Sequence, residues 1–180
     1  GVMVSAGLNA LISLILVLSP PTMMKGMIFW MMGDLTYAEP RVWTGFLALS
    51  IVMFSIVFGR ALDAMSLGSE RALAIGVSVR KLEYFIYFLA SLAAVAVVVE
   101  GGAIGFVGLV VPHMIRMTGT WRHKYLVPMS AFVGGTMVVV ADTLARSLWA
   151  PIQLPVGVMT AMIGVPILIF LLNQRSYARG

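Results

Sequence analysis

The chain has 180 residues, 61% of them hydrophobic and only 11% charged, against about 45–50% apolar and about 25% charged in soluble domains, so a water-soluble fold is excluded and lipid is the solvent. Its formal charge of +5 comes from Lys and Arg scattered between apolar stretches, which excludes a single basic face for nucleic acid. The absence of cysteine excludes a disulfide framework and a thiolate metal site.

In chain order, Val2 to Leu18 is the first apolar span, stopped by Ser19-Pro20-Pro21 because proline has no N–H and restricts its predecessor. No charged stretch precedes it, so the chain is expected to begin inside a helix rather than with a secretory signal. Met23 to Met32 is apolar but too short to cross a bilayer. It is expected to be an interfacial or re-entrant helix, with Trp30, Tyr37 and Trp43 at headgroup level. Trp43 to Phe58 is a second span, closed by Gly59-Arg60.

The next stretch differs in kind. From Arg60 to Glu83, charges of both signs alternate with Ala and Leu at helical spacing, and Gly68 and Gly76 interrupt the run. The pattern predicts two short amphipathic helices outside the hydrocarbon, either as a solvated connector or as a surface for a cytoplasmic partner.

Tyr84 to Val99 reads as the third span, ending at Glu100-Gly101-Gly102. Ile104 to Met117 reads as a shorter apolar helix broken by Pro112, Tyr125 to Trp149 as a full span, and Val156 to Leu172 as the last. The fold class is therefore all-α, a polytopic transmembrane bundle of about five or six membrane segments. Of the twelve Lys and Arg residues, nine (Arg60, Arg71, Arg80, Lys81, Arg116, Arg122, Lys124, Arg175 and Arg179) fall on one side if the spans alternate, against Lys25 and Arg41 on the other. Short basic loops stay cytoplasmic, which predicts a multi-pass protein of the cytoplasmic membrane with its C-terminus inside.

Chemistry-bearing motifs are sparse. Gly101, Gly102, Gly105 and Gly108 have neither the preceding strand nor the following Lys-Ser or Lys-Thr of a phosphate-binding loop, and close helix packing by small residues is the expectation instead. Asp142 and Arg146, four apart, share a helix face and can pair, which lowers the cost of intramembrane charge. A structural ion pair, a place on the translocation path and a docking contact all remain open for them. His113, after Pro112, has no second ligand at metal spacing, so packing or hydrogen bonding is its expected role. Neither a Gly-x-Ser-x-Gly elbow nor a His-Glu-x-x-His helix occurs, which leaves a hydrolase built on His113 with Asp142 or Glu100 as the weaker, enzymatic alternative.

Several blocks resemble one family, the membrane permeases of type II ABC importers that take up cobalamin, iron-siderophores, haem and related metal chelates. The run from Gly102 through Ala103, Gly105, Gly108 and Pro112 to His113 resembles its GPIGFVGLVVPH block. Ala141-Asp142-Thr143-Leu144-Ala145-Arg146 resembles ADxxAR, and Leu154-Pro155-Val156-Gly157-Val158-Met159-Thr160-Ala161 with Gly164 and Pro166 resembles LPVGVVTALLGAP. Phe29 to Gly33 is similar to FWLLGS, and Leu62-Asp63-Ala64-Met65-Ser66-Leu67-Gly68 with Ala72 and Gly76-Val77 is similar to LNALSLGEEAARSLGV. Ala103 stands where the family usually has proline, and Asp63 where Asn is common.

The resemblance implies a single transmembrane permease domain over residues 1–180, corresponding to the C-terminal part of a permease of about ten helices, each near the length that crosses a bilayer. It implies coupling helices within 60–83, with Leu62, Asp63, Leu67, Gly68, Glu70, Arg71, Ala72 and Gly76 at or near the contact with an ATP-binding cassette ATPase. It places Arg146, with Asp142, near the outer end of a helix, where an arginine meets a periplasmic or lipoprotein substrate-binding protein. Gly102, Gly105, Gly108, Pro112, His113, Pro155 and Gly157 fall in motifs of the translocation path or its scaffold. The implied partners are the ATPase, the binding protein, a second permease copy and membrane lipid, with no cofactor, no catalytic residue and no nucleic acid. A half-permease that needs an N-terminal partner, or has lost function, is the alternative within the same resemblance.

Overall fold

Long apolar runs in lipid must satisfy their backbone internally, and helices do so within one segment. The computed structural model describes residues 1–36, 38–39 and 41–177, with side chains for all but Leu172 and 174–177. Tyr37, Arg179, the C-terminal position and the side chain of Arg175 therefore lie outside what is described. The elements are α1 (Val2–Leu18), α2 (Pro21–Met31), α3 (Val42–Val57), α4 (Gly59–Ser66), α5 (Ser69–Ala74), α6 (Val79–Gly101), α7 (Val107–Met117), α8 (His123–Ser147) and α9 (Val156–Tyr177).

Pro20-Pro21 separates α1 from α2, and Pro21 takes the first helical position of α2, where a missing N–H costs nothing. Hydroxyls inside the apolar helices bond their own backbone one turn back. Ser13 donates to the Asn9 carbonyl at 2.9 Å, Ser130 to Leu126 at 2.6 Å and Thr143 to Val139 at 2.8 Å, so each polar group is satisfied without water.

Two helices, Val79–Gly101 and His123–Ser147, are each long and apolar enough to cross a membrane, and α3 with α4 forms a third candidate bent by 72°. The expected five or six segments also count the shorter apolar helices Val2–Leu18, Val107–Met117 and Val156–Leu171.

Three boundaries differ from expectation. Positions 79–83 are not part of the short amphipathic pair but open α6, because a helix continues past the membrane surface while hydropathy marks only the hydrocarbon. The segment 102–106 is not helical, since Gly102 and Phe106 take φ of 69° and 67°, and α7 starts only at Val107. Pro112 lies inside α7 without ending it, as lipid-embedded helices tolerate when neighbouring groups satisfy the freed carbonyl.

Helix α8 is the hub, in contact with α3, α4, α7 and α9. Val111, Ile115 and Leu126 pack α7 on α8. Ala141 and Ala145, both fully buried, let α9 approach through Val156 and Met159, the small-residue packing that replaces a hydrophobic driving force in lipid. Phe54 of α3 meets Phe85 of α6 with ring centroids 4.9 Å apart. Many large apolar side chains remain outward, among them Phe46, Phe88 and Phe132, as a lipid-facing surface requires.

Candidate coupling surface and transport path

The two ends of the bundle carry different chemistry. At one end, α4 and α5 form a hairpin folded over the start of α6. Gly68, with φ of 115°, makes the turn between them, a conformation that a side chain makes costly. Ala64, Ala72 and Val79 form its small core, backed by Met65 and Val77. Ala72 is fully buried, so it holds the hairpin together rather than touching a partner. Leu67, Gly68, Glu70, Arg71 and Gly76 are exposed. Leu73 and Ile75, which the sequence reading did not single out, are 59% and 70% exposed and add an apolar patch beside the Glu70–Arg71 charges. Leu62 is half-buried and lines an open cavity shared with α3, α6 and α8.

Asp63 turns inward. Its Oδ1 accepts the backbone N–H of His123 at 2.8 Å and the His123 ring Nδ1 at 2.7 Å. An ionised carboxylate only accepts, so the ring proton sits on Nδ1. Helix α8 has no side-chain cap of its own at Arg122, and Asp63 supplies one from a helix sixty positions upstream. Burial tends to raise the Asp63 carboxyl. The hydrogen bonds from the His123 backbone and ring, with the His123 and Arg122 charges, outweigh it and hold the group below its ordinary value. The family resemblance placed Asp63 at or near a partner contact, whereas its carboxylate is engaged by the start of α8. An apolar helix opening on Arg122-His123-Lys124 without Ser, Thr, Asp or Asn is the signal that its cap comes from elsewhere.

At the opposite end three glycines meet. A Cβ on Gly102 would lie 1.9 Å from the Trp30 carbonyl oxygen, one on Gly157 would lie 2.1 Å from that of Met32, and one on Gly33 would lie 2.9 Å from that of Ala103. The Asp34 N–H donates to Gly101 at 3.0 Å and the Gly157 N–H to Gly33 at 3.4 Å. The α2–α3, α6–α7 and α8–α9 connections thus touch backbone to backbone, with buried Pro155 leading into α9. Gly105 and Gly108 differ from the close-packing expectation: nothing lies within 4 Å of a Cβ on either, because 102–106 is a loop and Gly108 faces open space.

Near this end Arg146 Nε donates to both oxygens of Asp142, at 3.0 and 2.9 Å, with the side chains 41% and 26% exposed. Thr44 donates to Glu100 at 3.0 Å. The Nε2 of His113 is buried and has no hydrogen-bond partner among the described residues, so the residues of the hydrolase alternative are not joined: Asp142 is bonded to Arg146 and Glu100 to Thr44. Among the described residues no group of three or more His, Cys, Asp or Glu side chains is placed to hold a metal ion.

The sequence profile described as the FecCD transport family matches residues 1–174. The hemin transport system permease protein of Yersinia pestis is 35% identical over 186 aligned positions, covering all of this chain and 55% of that protein. The Fe(3+) dicitrate transport system permease protein of Escherichia coli (strain K12) is 40% identical over 163, covering 87% of this chain and 50% of that one. A solved structure of an ABC transporter assigned to the metal-chelate type, in an inward-facing conformation, superimposes with a TM-score of 0.81 at 30% identity, covering 96% of this chain and 57% of that chain. The chain spans about half the length of the curated relatives it matches.

Proposed function

We propose, from the premise that the chain belongs to the FecCD transport family, that it forms the membrane-spanning part of an importer permease for metal chelates. In this reading a separate ATP-binding cassette subunit drives transport from the cytoplasm, and a substrate-binding protein delivers the chelate outside. A second copy of the permease completes the path, and no residue here performs covalent chemistry. Residues 1–180 act as one transmembrane domain in the cytoplasmic membrane, with the C-terminus cytoplasmic.

The observation that carries the reading is the α4–α5 hairpin. Its exposed Leu67, Glu70, Arg71, Leu73 and Ile75 face away from the bundle, while Asp63 ties it to the end of α8 that bears Arg122 and Lys124. An apolar patch flanked by both charge signs suits a groove on a soluble partner, and the basic residues beside it favour the cytoplasmic side. Arg146, at the other end of α8, is available to an acidic partner outside once its pairing with Asp142 is exchanged.

The test is co-purification in detergent with the ATPase subunit encoded beside this chain, comparing wild type with the charge reversals Glu70→Arg and Arg71→Glu. A wild-type complex lost in the reversals supports the reading. Equal recovery of the complex by wild type and both reversals, or none by wild type, contradicts it.

A further inference from the structure

We propose that Asp63 and His123 form the joint through which the α4–α5 hairpin moves α8, which makes Asp63 a positioning residue for coupling; this rests on the importer reading above. Three observations converge on the joint. A single carboxylate oxygen receives both the first N–H of α8 and the ring of its first residue, at 2.8 and 2.7 Å. A Cβ on Gly59 would lie 3.1 Å from the Lys124 Cβ and 3.2 Å from the Lys124 nitrogen, so the bend between α3 and α4 is seated against the same turn of α8. Beside it lies a largely apolar cavity of about 530 Å³, lined in part by Phe54, Leu62, Met65, Leu89 and His123. Helix α4 is thus not packed on every side, and its attachment to α8 rests on the two Asp63–His123 hydrogen bonds and the close seat of Gly59 against Lys124.

Both ends of the linkage are stiff. The hairpin moves as one body because Ala64, Ala72 and Val79 tie α4, α5 and the start of α6 together. Helix α8, with 25 residues, runs about 37 Å at 1.5 Å per residue. Its far end is fixed to α9 by Ala141, Ala145, Val156 and Met159, and the Leu154 N–H donates to the Ala145 carbonyl at 3.1 Å. A push on the hairpin therefore travels along α8 to the 154–157 turn and to Gly157, which abuts Gly33 and Ala103. The carboxylate also lies at the positive end of the α8 dipole, which adds to the attraction at the joint.

The chain has no cysteine, which makes paired spin labels direct. In the chain alone, labels at Leu73→Cys and Tyr125→Cys are expected to give a narrow distance distribution that at least doubles in width in Asp63→Ala. In the complex with the ATPase subunit, labels at Val42→Cys and Leu148→Cys are expected to shift on trapping with ATP and vanadate. Asp63→Ala is expected to lose at least half of that shift while ATP hydrolysis continues. Asp63→Asn, which keeps an oxygen for the His123 N–H, is expected to restore most of it and serves as the comparison if the alanine variant does not fold. Unchanged width in the chain alone, or a wild-type shift retained by Asp63→Ala in an intact complex, overturns the joint alone. A wild type that binds no ATPase subunit overturns the importer reading and the coupling role with it.

Discussion

Substituting Gly102 by alanine attacks the glycine junction at its tightest point. Gly102 has φ 69° and ψ −157°, a region essentially restricted to glycine, and placing a side chain there costs about 1–3 kcal/mol. The added Cβ would lie 1.9 Å from the Trp30 carbonyl oxygen. That carbonyl cannot swing away freely, because it accepts the Gly33 N–H at 3.1 Å. Overpacking of this kind costs about 1–3 kcal/mol more, for a total of about 2–6 kcal/mol. At about 2–4 °C per kcal/mol for a chain of this size, Gly102→Ala is expected to melt at least about 4 °C lower in detergent by fluorescence-detected thermal unfolding. Gly108→Ala is the control, since nothing lies within 4 Å of its Cβ and alanine is the better helix former by about 0.5–1 kcal/mol. Equal melting temperatures for the two variants would refute the junction.

The Asp63 carboxyl, held below its ordinary value by His123, contributes stability that is full above the unfolded carboxylate value and is lost as pH falls through the lower folded one. Wild type is expected to lose more melting temperature than Asp63→Asn between neutral pH and the acid end of the carboxylate range. Ala72→Leu, at a fully buried hairpin site, is expected to destabilise by about 1–3 kcal/mol, whereas Glu70→Arg on the exposed face leaves the melting temperature unchanged within about 0.5 kcal/mol. A double-mutant cycle of Asp142→Ala with Arg146→Ala is expected to show a favourable coupling of about 0.3–1 kcal/mol, and no coupling would contradict the bifurcated contact.

The helices were legible because lipid leaves a coarse record: apolar runs of spanning length, stopped by Pro20-Pro21, Gly59 and Gly101-Gly102. The change in pattern at Arg60 to Glu83 marked the hairpin, and four-residue spacing foretold the Asp142–Arg146 pair. Two of the boundary errors share a cause, since hydropathy reports the hydrocarbon and not where a helix ends. It missed the polar first turns of α6 at 79–83, and it read the 104–106 loop into α7. Pro112 looked like a break because the rule for soluble helices was applied inside lipid. The cap on α8 and the meeting of Gly33, Gly102 and Gly157 depend on contacts between residues more than fifty positions apart, and local spacing does not name the partners. Within 60–83 the sequence pattern located the hairpin but not the division between exposed Leu67, Glu70 and Arg71 and the inward-turned Asp63 and Ala72.

Photocrosslinking tests whether the hairpin, and not the flank of the bundle, meets an ATPase subunit. A benzophenone attached at Leu73→Cys, 59% exposed on the hairpin, can be compared with one at Phe132→Cys, 79% exposed along α8, by irradiating membranes that contain both subunits. A crosslinked adduct with the ATPase is expected from position 73 and none from position 132; an adduct from 132 with none from 73 would contradict the proposed docking at the hairpin.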